Sequence, residues 1–209
     1  MYWEVRHREH RNTPRGPGCI GLDDAANRDD YETKWRRIQV MLDRELQRGA
    51  TNVLDAGCGT GLFTQRAAMV GFAKIDAVDF SATAAEVARR NAPTSTVRVA
   101  ALDDLRSTER YDVVMCIDVL FHIVDNATWA RSVRNLADLT APYGALVIQD
   151  SLNAADEAQP APHVRFRSLH AYQRELAEWV VDVHDKYLLP NEAISKDLVL
   201  FRRCEALVD

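Results

Sequence analysis

Between Val53 and Gly61 the chain reads Val-Leu-Asp-Ala-Gly-Cys-Gly-Thr-Gly, residue types that can hold a ligand against bare backbone. Gly57, Gly59 and Gly61 take Cβ atoms out of a tight turn. The helix expected from Leu62 onward turns its first unpaired N–H groups toward whatever lies there. Asp55 precedes the glycines, and Cys58 sits among them. Asp79 closes the next apolar run (Ile75 to Val78), 18 residues beyond Gly61. At that place in a nucleotide-binding α/β fold, a carboxylate accepts the hydroxyls of a ribose. The spacing is Gly-x-Gly-x-Gly, whereas a dinucleotide pyrophosphate rests on Gly-x-Gly-x-x-Gly. An acid at the mouth of the loop repels phosphate and favours an ammonium or sulfonium. Loop spacing and Asp55 together disfavour a nicotinamide-dependent dehydrogenase and favour another adenosine-type ligand.

The elements that position these residues follow from hydropathy. Residues 1–28 carry breakers at Pro14, Gly16, Pro17, Gly18 and Gly21, which predict an irregular arm. Trp35, Ile38, Leu42 and Leu46 recur at helical spacing, predicting a helix from about Asp30 to Gln47. Strands at 52–55, 75–79, 96–100, 111–117 and 144–150 then alternate with helices at 61–70, 82–91 and 125–140. Strands that are nearly continuous apolar runs imply a parallel sheet covered on both faces. Residues 152–167 hold two prolines and read as a loop; a helix at 168–178 follows, with Ser168 as N-cap. Strands at 179–187 and 196–203, joined by Leu-Pro-Asn, predict an antiparallel pair at a sheet edge.

Composition narrows the function class. At 209 residues and 47 % hydrophobic content the chain fits one structural domain. A net charge of −5 argues against a general nucleic-acid binder, which needs a basic face. No apolar run approaches the roughly 20 residues of a membrane span, and the charged, aromatic N-terminus does not read as a signal peptide. Cys19, Cys58, Cys116 and Cys204 show no metal-ligand spacing, so reduced thiols and a cytoplasmic protein are expected. No metal is expected, although Asp118 and Asp150, which end neighbouring strands, could share a divalent ion.

Three motifs in order resemble the class I S-adenosylmethionine (SAM) dependent methyltransferases. They are Val53–Gly61, Ala-Val-Asp-Phe-Ser at Ala77–Ser81, and Tyr-Asp-Val-Val-Met-Cys-Ile-Asp-Val-Leu-Phe-His-Ile at Tyr111–Ile123. The likeness covers about 100 residues, from Thr51 to Ser151. It implies an α/β three-layer sandwich with a mostly parallel seven-stranded sheet whose last strand is antiparallel. It implies SAM as cofactor and S-adenosylhomocysteine as product. Asp55, Gly57, Cys58, Gly59 and Gly61 would face the methionine portion, with Asp79 on the ribose and Phe80 over the adenine, unless Phe80 only fills the core. The family often has Gly-Asp after the third strand; here Ala100-Ala101-Leu102-Asp103 stands instead. Leu102 would then offer its backbone to the adenine and Asp103 an acceptor, with a solvated turn as the alternative reading of Asp103. Ile117 ends the fourth strand beside the cofactor.

Methyl transfer to a hydroxyl requires alignment and, usually, a base. His122, in the loop after the fourth strand, is the first candidate for a catalytic role, and His163 and Asp150 are the others; alternatively His122 only ties its loop together. Residues 1–48 form an N-terminal arm and helix contributing to the acceptor-side cover, and 49–209 form the SAM-binding domain, with 152–167 as active-site loop. Tyr2, Trp3, Arg165 and Arg167 are the acceptor-binding candidates, and the arginines suggest an anionic small molecule. The expected activity is O-methylation of a sugar, glycan end or natural product. The alternatives are N-methylation and a non-catalytic SAM-binding partner subunit. Absence of Asn/Asp-Pro-Pro-Tyr and of Pro-Cys argues against DNA-base methylation, and no feature of the sequence speaks to oligomeric state.

Overall fold

A computed structural model describes residues 2–11, 13–152, 158–192 and 194–204. Seven strands form one sheet: β1 (Asn52–Ala56), β2 (Lys74–Asp79), β3 (Thr96–Val99), β4 (Tyr111–Ile117), β5 (Thr140–Asp150), β6 (Trp179–Leu188) and β7 (Ser195–Arg203). Their order is β3-β2-β1-β4-β5-β7-β6, with β1 to β5 parallel and β7 antiparallel to both β5 and β6. The sheet therefore has the predicted architecture.

Side-chain alternation along the strands builds two apolar layers. Leu54, Val114, Cys116, Leu146, Ile148 and Phe201 point to one face, against Trp129, Val133 and Leu136. These belong to helix α5 (Asn126–Leu139), whose apolar residues recur at i, i+4 and i+7. Val53, Val113, Met115, Val147 and Leu200 point to the other face, against Trp35, Ile38, Met41 and Leu42 of helix α2 (Asp24–Gln47) and Ala67 of α3 (Leu62–Val70). Helix α4 (Ala82–Asn91) packs beside β2 and β3, and α6 (Leu169–Glu175) beside α5.

The side-chain caps explain several boundaries. Asp125, Ser81 and Ser168 each accept the N–H three residues on, starting α5, α4 and α6. Asp23 does the same for α2, so this helix starts at Asp24, ahead of the predicted start near Asp30 and well before its apolar stripe begins at Trp35. The arm also departs from expectation by containing helix α1 (Tyr2–Glu9). Strand β5 begins at Thr140, earlier than predicted. Gly144 lets it pass Asp112, whose carbonyl oxygen would lie 2.7 Å from an added Cβ. The predicted strand at 96–100 ends at Val99, and the predicted helix at 168–178 spans Leu169–Glu175. Of the 152–167 loop, residues 153–157 lie outside the described residues.

Candidate active site

The carboxyl ends of β1, β2 and β4 open into one cavity of about 880 Å³, where a parallel sheet of this order reverses direction. Gly57, Cys58, Gly59, Asp79, Phe80, Leu102, Asp103, Ile117, His122, His163, Tyr2 and Trp3 all line it. Sequence reasoning placed each of these at the site.

The glycine loop is held by its own backbone. The N–H groups of Gly57 and Cys58 both donate to the Val78 carbonyl, at 2.7 and 2.9 Å. Gly59 N–H donates to Asp79 Oδ2 at 2.9 Å, and Ser81 N–H donates to Asp79 Oδ1 at 2.8 Å. The carboxylate thus fixes the loop and keeps a second lone pair on each oxygen for a ligand. Gly57 has φ +87°, and a Cβ there would run into Val119 Cγ2, so the loop closes against the loop after β4.

Two loop-associated residues take structural places instead of cavity places. Asp55 is 2 % exposed, lies beneath the loop and accepts Thr64 Oγ1–H at 2.6 Å. Burial pushes its carboxyl up to about 7. Gly61 permits close packing of α3 on α4, since a Cβ would stand 2.9 Å from Ala88 Cα. Neither lines the cavity.

At the far wall, Phe80 is 49 % exposed and available to stack. Leu102 gives its carbonyl to Asn135 Nδ2 at 2.7 Å, and its own N–H has no partner among the described residues. Asp103 is paired with Arg131 at 3.1 Å.

Another part of the lining is aromatic. His122 sits at the end of a short 3₁₀ turn, Leu120–His122. Its Nδ1 lies 3.0 Å from the His163 carbonyl oxygen. That oxygen can only accept, so Nδ1 carries the proton and Nε2 is the open lone pair. Tyr2 stacks on His163 with centroids 4.1 Å apart, and Trp3 meets His122 edge-on at 4.5 Å. Enclosure lowers the His122 pKa to about 4, against the opposing pull of the His163 carbonyl and the Asp118 charge. Asp118 itself adopts φ +58°, a left-handed conformation rare outside glycine. It is gripped by Lys34 Nζ at 2.6 Å and Lys196 Nζ at 3.3 Å. Burial opposes its ionisation, but the two ammoniums outweigh that and hold its carboxyl well below the usual carboxylate range. Among the described residues no group of three or more His, Cys, Asp or Glu side chains is arranged to hold a metal.

Three predicted site residues are elsewhere. Asp150 is 1 % exposed and accepts the Tyr172 hydroxyl and the Ser151 N–H; it does not reach the cavity. Arg167 is 3 % exposed, donates to the Ile123 carbonyl at 2.8 Å and lies 4.5 Å over the Trp129 ring. Arg165 donates to the Val124 carbonyl at 3.2 Å. Both guanidiniums brace the His122 loop from behind, and neither lines the cavity. Conversely, Tyr31, Phe63, Arg66 and Pro17 line it, although the sequence reading did not single them out. Tyr31 lies one helical turn before Lys34 and Trp35 on α2, a spacing that could have marked it.

Residues 53–144 match the family model described as a methyltransferase domain. The chain is 36 % identical over 106 residues to the ubiquinone biosynthesis O-methyltransferase of Serratia proteamaculans, covering 48 % of this chain and 44 % of that protein. It spans less than half the length of the curated relatives it matches first. Among solved structures it is similar to the 1,6-didemethyltoxoflavin-N1-methyltransferase of Burkholderia thailandensis, with TM-score 0.71 and 19 % identity over 97 % of this chain and 88 % of that one. It is also similar to the N-methyltransferase NodS of Bradyrhizobium japonicum WM9 in complex with S-adenosylhomocysteine, with TM-score 0.66 and 17 % identity over 80 % of this chain and 86 % of that one. At these identities the structural likeness establishes the fold.

Proposed function

From a chain that carries a class I, SAM-dependent methyltransferase domain, we propose an enzyme that moves the methyl group of SAM to a hydroxyl of a small molecule. A sugar, a glycan end or a natural product is the acceptor class, and the cytoplasm, where its four free thiols stay reduced, is the compartment. The observation that carries this reading is the fixed tautomer of His122, whose unprotonated Nε2 belongs to a ring on the cavity wall.

The cavity fits the cofactor. Asp79 has lone pairs to spare, Phe80 offers a ring face, and Leu102 an N–H without a partner among the described residues; all three line the cavity. When bound, SAM supplies an electrophilic methyl carbon on a sulfonium that departs as a neutral thioether. The protein's part is to align the acceptor oxygen, shut out water and take the hydroxyl proton. The His122 imidazole is neutral at physiological pH, so Nε2 accepts that proton without first losing one. Asp118, a carboxylate at every physiological pH, steadies the imidazolium so formed. The rings of Tyr2, Trp3 and His163 provide flat apolar surface for an acceptor ring or sugar face.

The low basicity of His122 favours a second reading, N-methylation, because a neutral amine needs no base for the displacement. Both reactions are tested together. Calorimetry with S-adenosylhomocysteine, with NADH and Asp79→Ala as controls, checks the cofactor. Acceptors with hydroxyl and amine groups are then screened with methyl-labelled SAM. Labelled amines without labelled hydroxyls would overturn O-methylation, and absence of S-adenosylhomocysteine binding would overturn the enzyme itself.

A further inference from the structure

His7 and Asp79 are 72 positions apart in sequence, and the fold brings both to the lining of the cavity, near enough for the Asp79 charge to act on the imidazole. The His7 side chain is 4 % exposed and shares the cavity wall with Asp79, Phe80 and Leu102. Its Nδ1 is shielded from solvent and has no hydrogen-bond partner among the described residues. An enclosed ring nitrogen left without a partner is costly, and proteins rarely carry that cost without a use for the group.

The surroundings hold the ring in place. Arg6, 6 % exposed, donates from Nε to the Arg15 carbonyl at 3.1 Å, also reaches the Gly18 carbonyl, and lies 4.7 Å over the Trp3 ring. Glu4 accepts Thr83 Oγ1–H at 2.5 Å, tying helix α1 to α4 just beyond Asp79. The Trp3 ring lies 5.8 Å from that of His7. Burial keeps the imidazole neutral, with Asp79 pulling the other way, so it offers one donor and one acceptor. Asp79 offers acceptors only. A vicinal diol, with two O–H donors and two acceptor oxygens, satisfies both side chains together.

We propose that His7 is a further cofactor-binding residue, hydrogen-bonded to a ribose hydroxyl of SAM whose diol Asp79 holds from the other side. Helix α1 is thereby part of the cofactor site as well as the acceptor cover. This rests on the SAM-binding reading of the cavity.

The test is calorimetric titration of the full chain, first with S-adenosylhomocysteine, then with 5′-deoxy-5′-methylthioadenosine and its 2′-deoxy and 3′-deoxy analogues. Wild type, His7→Ala and His7→Gln are compared, with thermal unfolding of each free protein as the folding check. Expected is about tenfold weaker binding of S-adenosylhomocysteine by His7→Ala, the size of one hydrogen bond, with part of the loss restored in His7→Gln. One deoxy analogue should cost the wild type a similar factor and cost His7→Ala almost nothing more. Unchanged affinity in His7→Ala overturns the proposal, as does equal weakening toward intact and deoxy ligands, which marks a purely structural role. If His7→Ala does not fold, the cycle is read from His7→Gln. A folded wild type that binds none of these ligands overturns the cofactor reading itself, an outcome distinct from either.

Discussion

His122 donates through Nδ1 to the backbone carbonyl of His163, 3.0 Å away, so the loop after β4 and the segment before α6 share one imidazole. The bond selects the tautomer and aims Nε2, the arrangement a base needs. His122→Ala should lower kcat by about 10²–10⁴-fold for a hydroxyl acceptor, with the KM for SAM little changed. Steady-state kinetics measures this. A loss in KM alone would reduce His122 to a loop tie.

The pH profile carries the same argument. The folded pKa of His122 is about 4, below the ordinary histidine value of 6.5. The neutral base therefore persists down to about pH 4, and the acid limb of kcat belongs there. The stability linked to this ring is present above the unfolded pKa and is lost as pH falls through the folded one. Urea unfolding of wild type against His122→Gln across pH 4 to 7 should show the wild type losing ground toward pH 4. An acid limb near 6.5 would contradict the enclosure of the ring.

Asp79 joins Gly59 N–H and Ser81 N–H across the start of the cavity. Asp79→Asn keeps the shape but sets an amide N–H₂ against one of these donors and removes the charge. Binding of S-adenosylhomocysteine should weaken by roughly 10- to 100-fold, the loss of one or two charge-assisted hydrogen bonds. Calorimetry reads it directly, and an affinity within twofold of wild type would remove Asp79 from the site.

The buried acids make an opposite contribution to stability. Asp55 and Asp150 both have folded pKa values raised to about 7, by burial first. The folded state then binds protons that the unfolded state has released, so their contribution is whole below about pH 4 and fades as pH rises through 7. In Asp55→Asn, with Thr64 Oγ1 still able to donate, this decline should shrink. The urea midpoint of the variant should gain on wild type between pH 4 and 8, and parallel curves would refute the shift.

Much of this was legible in the chain, for a physical reason. Strand β4 is apolar from Val113 to Ile117 because both of its faces are covered there, and the glycines at 57, 59 and 61 all adopt positive φ. Those signals are local. Arg165 and Arg167 misled because a guanidinium suits a carbonyl as well as an anion, and only the fold shows that Ile123 and Val124 supply the carbonyls. Asp150 looked available at the end of β5, yet Tyr172, 22 residues later, covers it. Helix α1 was hidden by its charged composition, although Tyr2 with Arg6 and Trp3 with His7 stand four apart, as neighbours on a helix do. His7 belongs to the arm expected to cover the acceptor side, and its place near Asp79 depends on how α1 folds back.

That folding back depends on Asn27. Its Oδ1 accepts Cys19 N–H at 2.8 Å, and its Nδ2 donates to the carbonyls of Cys19, Leu22 and Asp23 at 2.9, 3.2 and 3.0 Å. The side chain is 2 % exposed, so none of these groups turns to water instead when the amide is removed. Pro17, in the segment so clasped, stands over the glycine loop, 3.3 Å from where a Gly59 Cβ would lie. Asn27→Ala should release the segment that roofs the cavity while the sheet stays intact. Amide hydrogen exchange should then quicken in residues 13–22 and in α1, with β1 and β4 unchanged, and the KM for SAM should rise more than kcat falls. Uniformly faster exchange across the sheet would instead make Asn27 a determinant of global stability, with no particular hold on the roof.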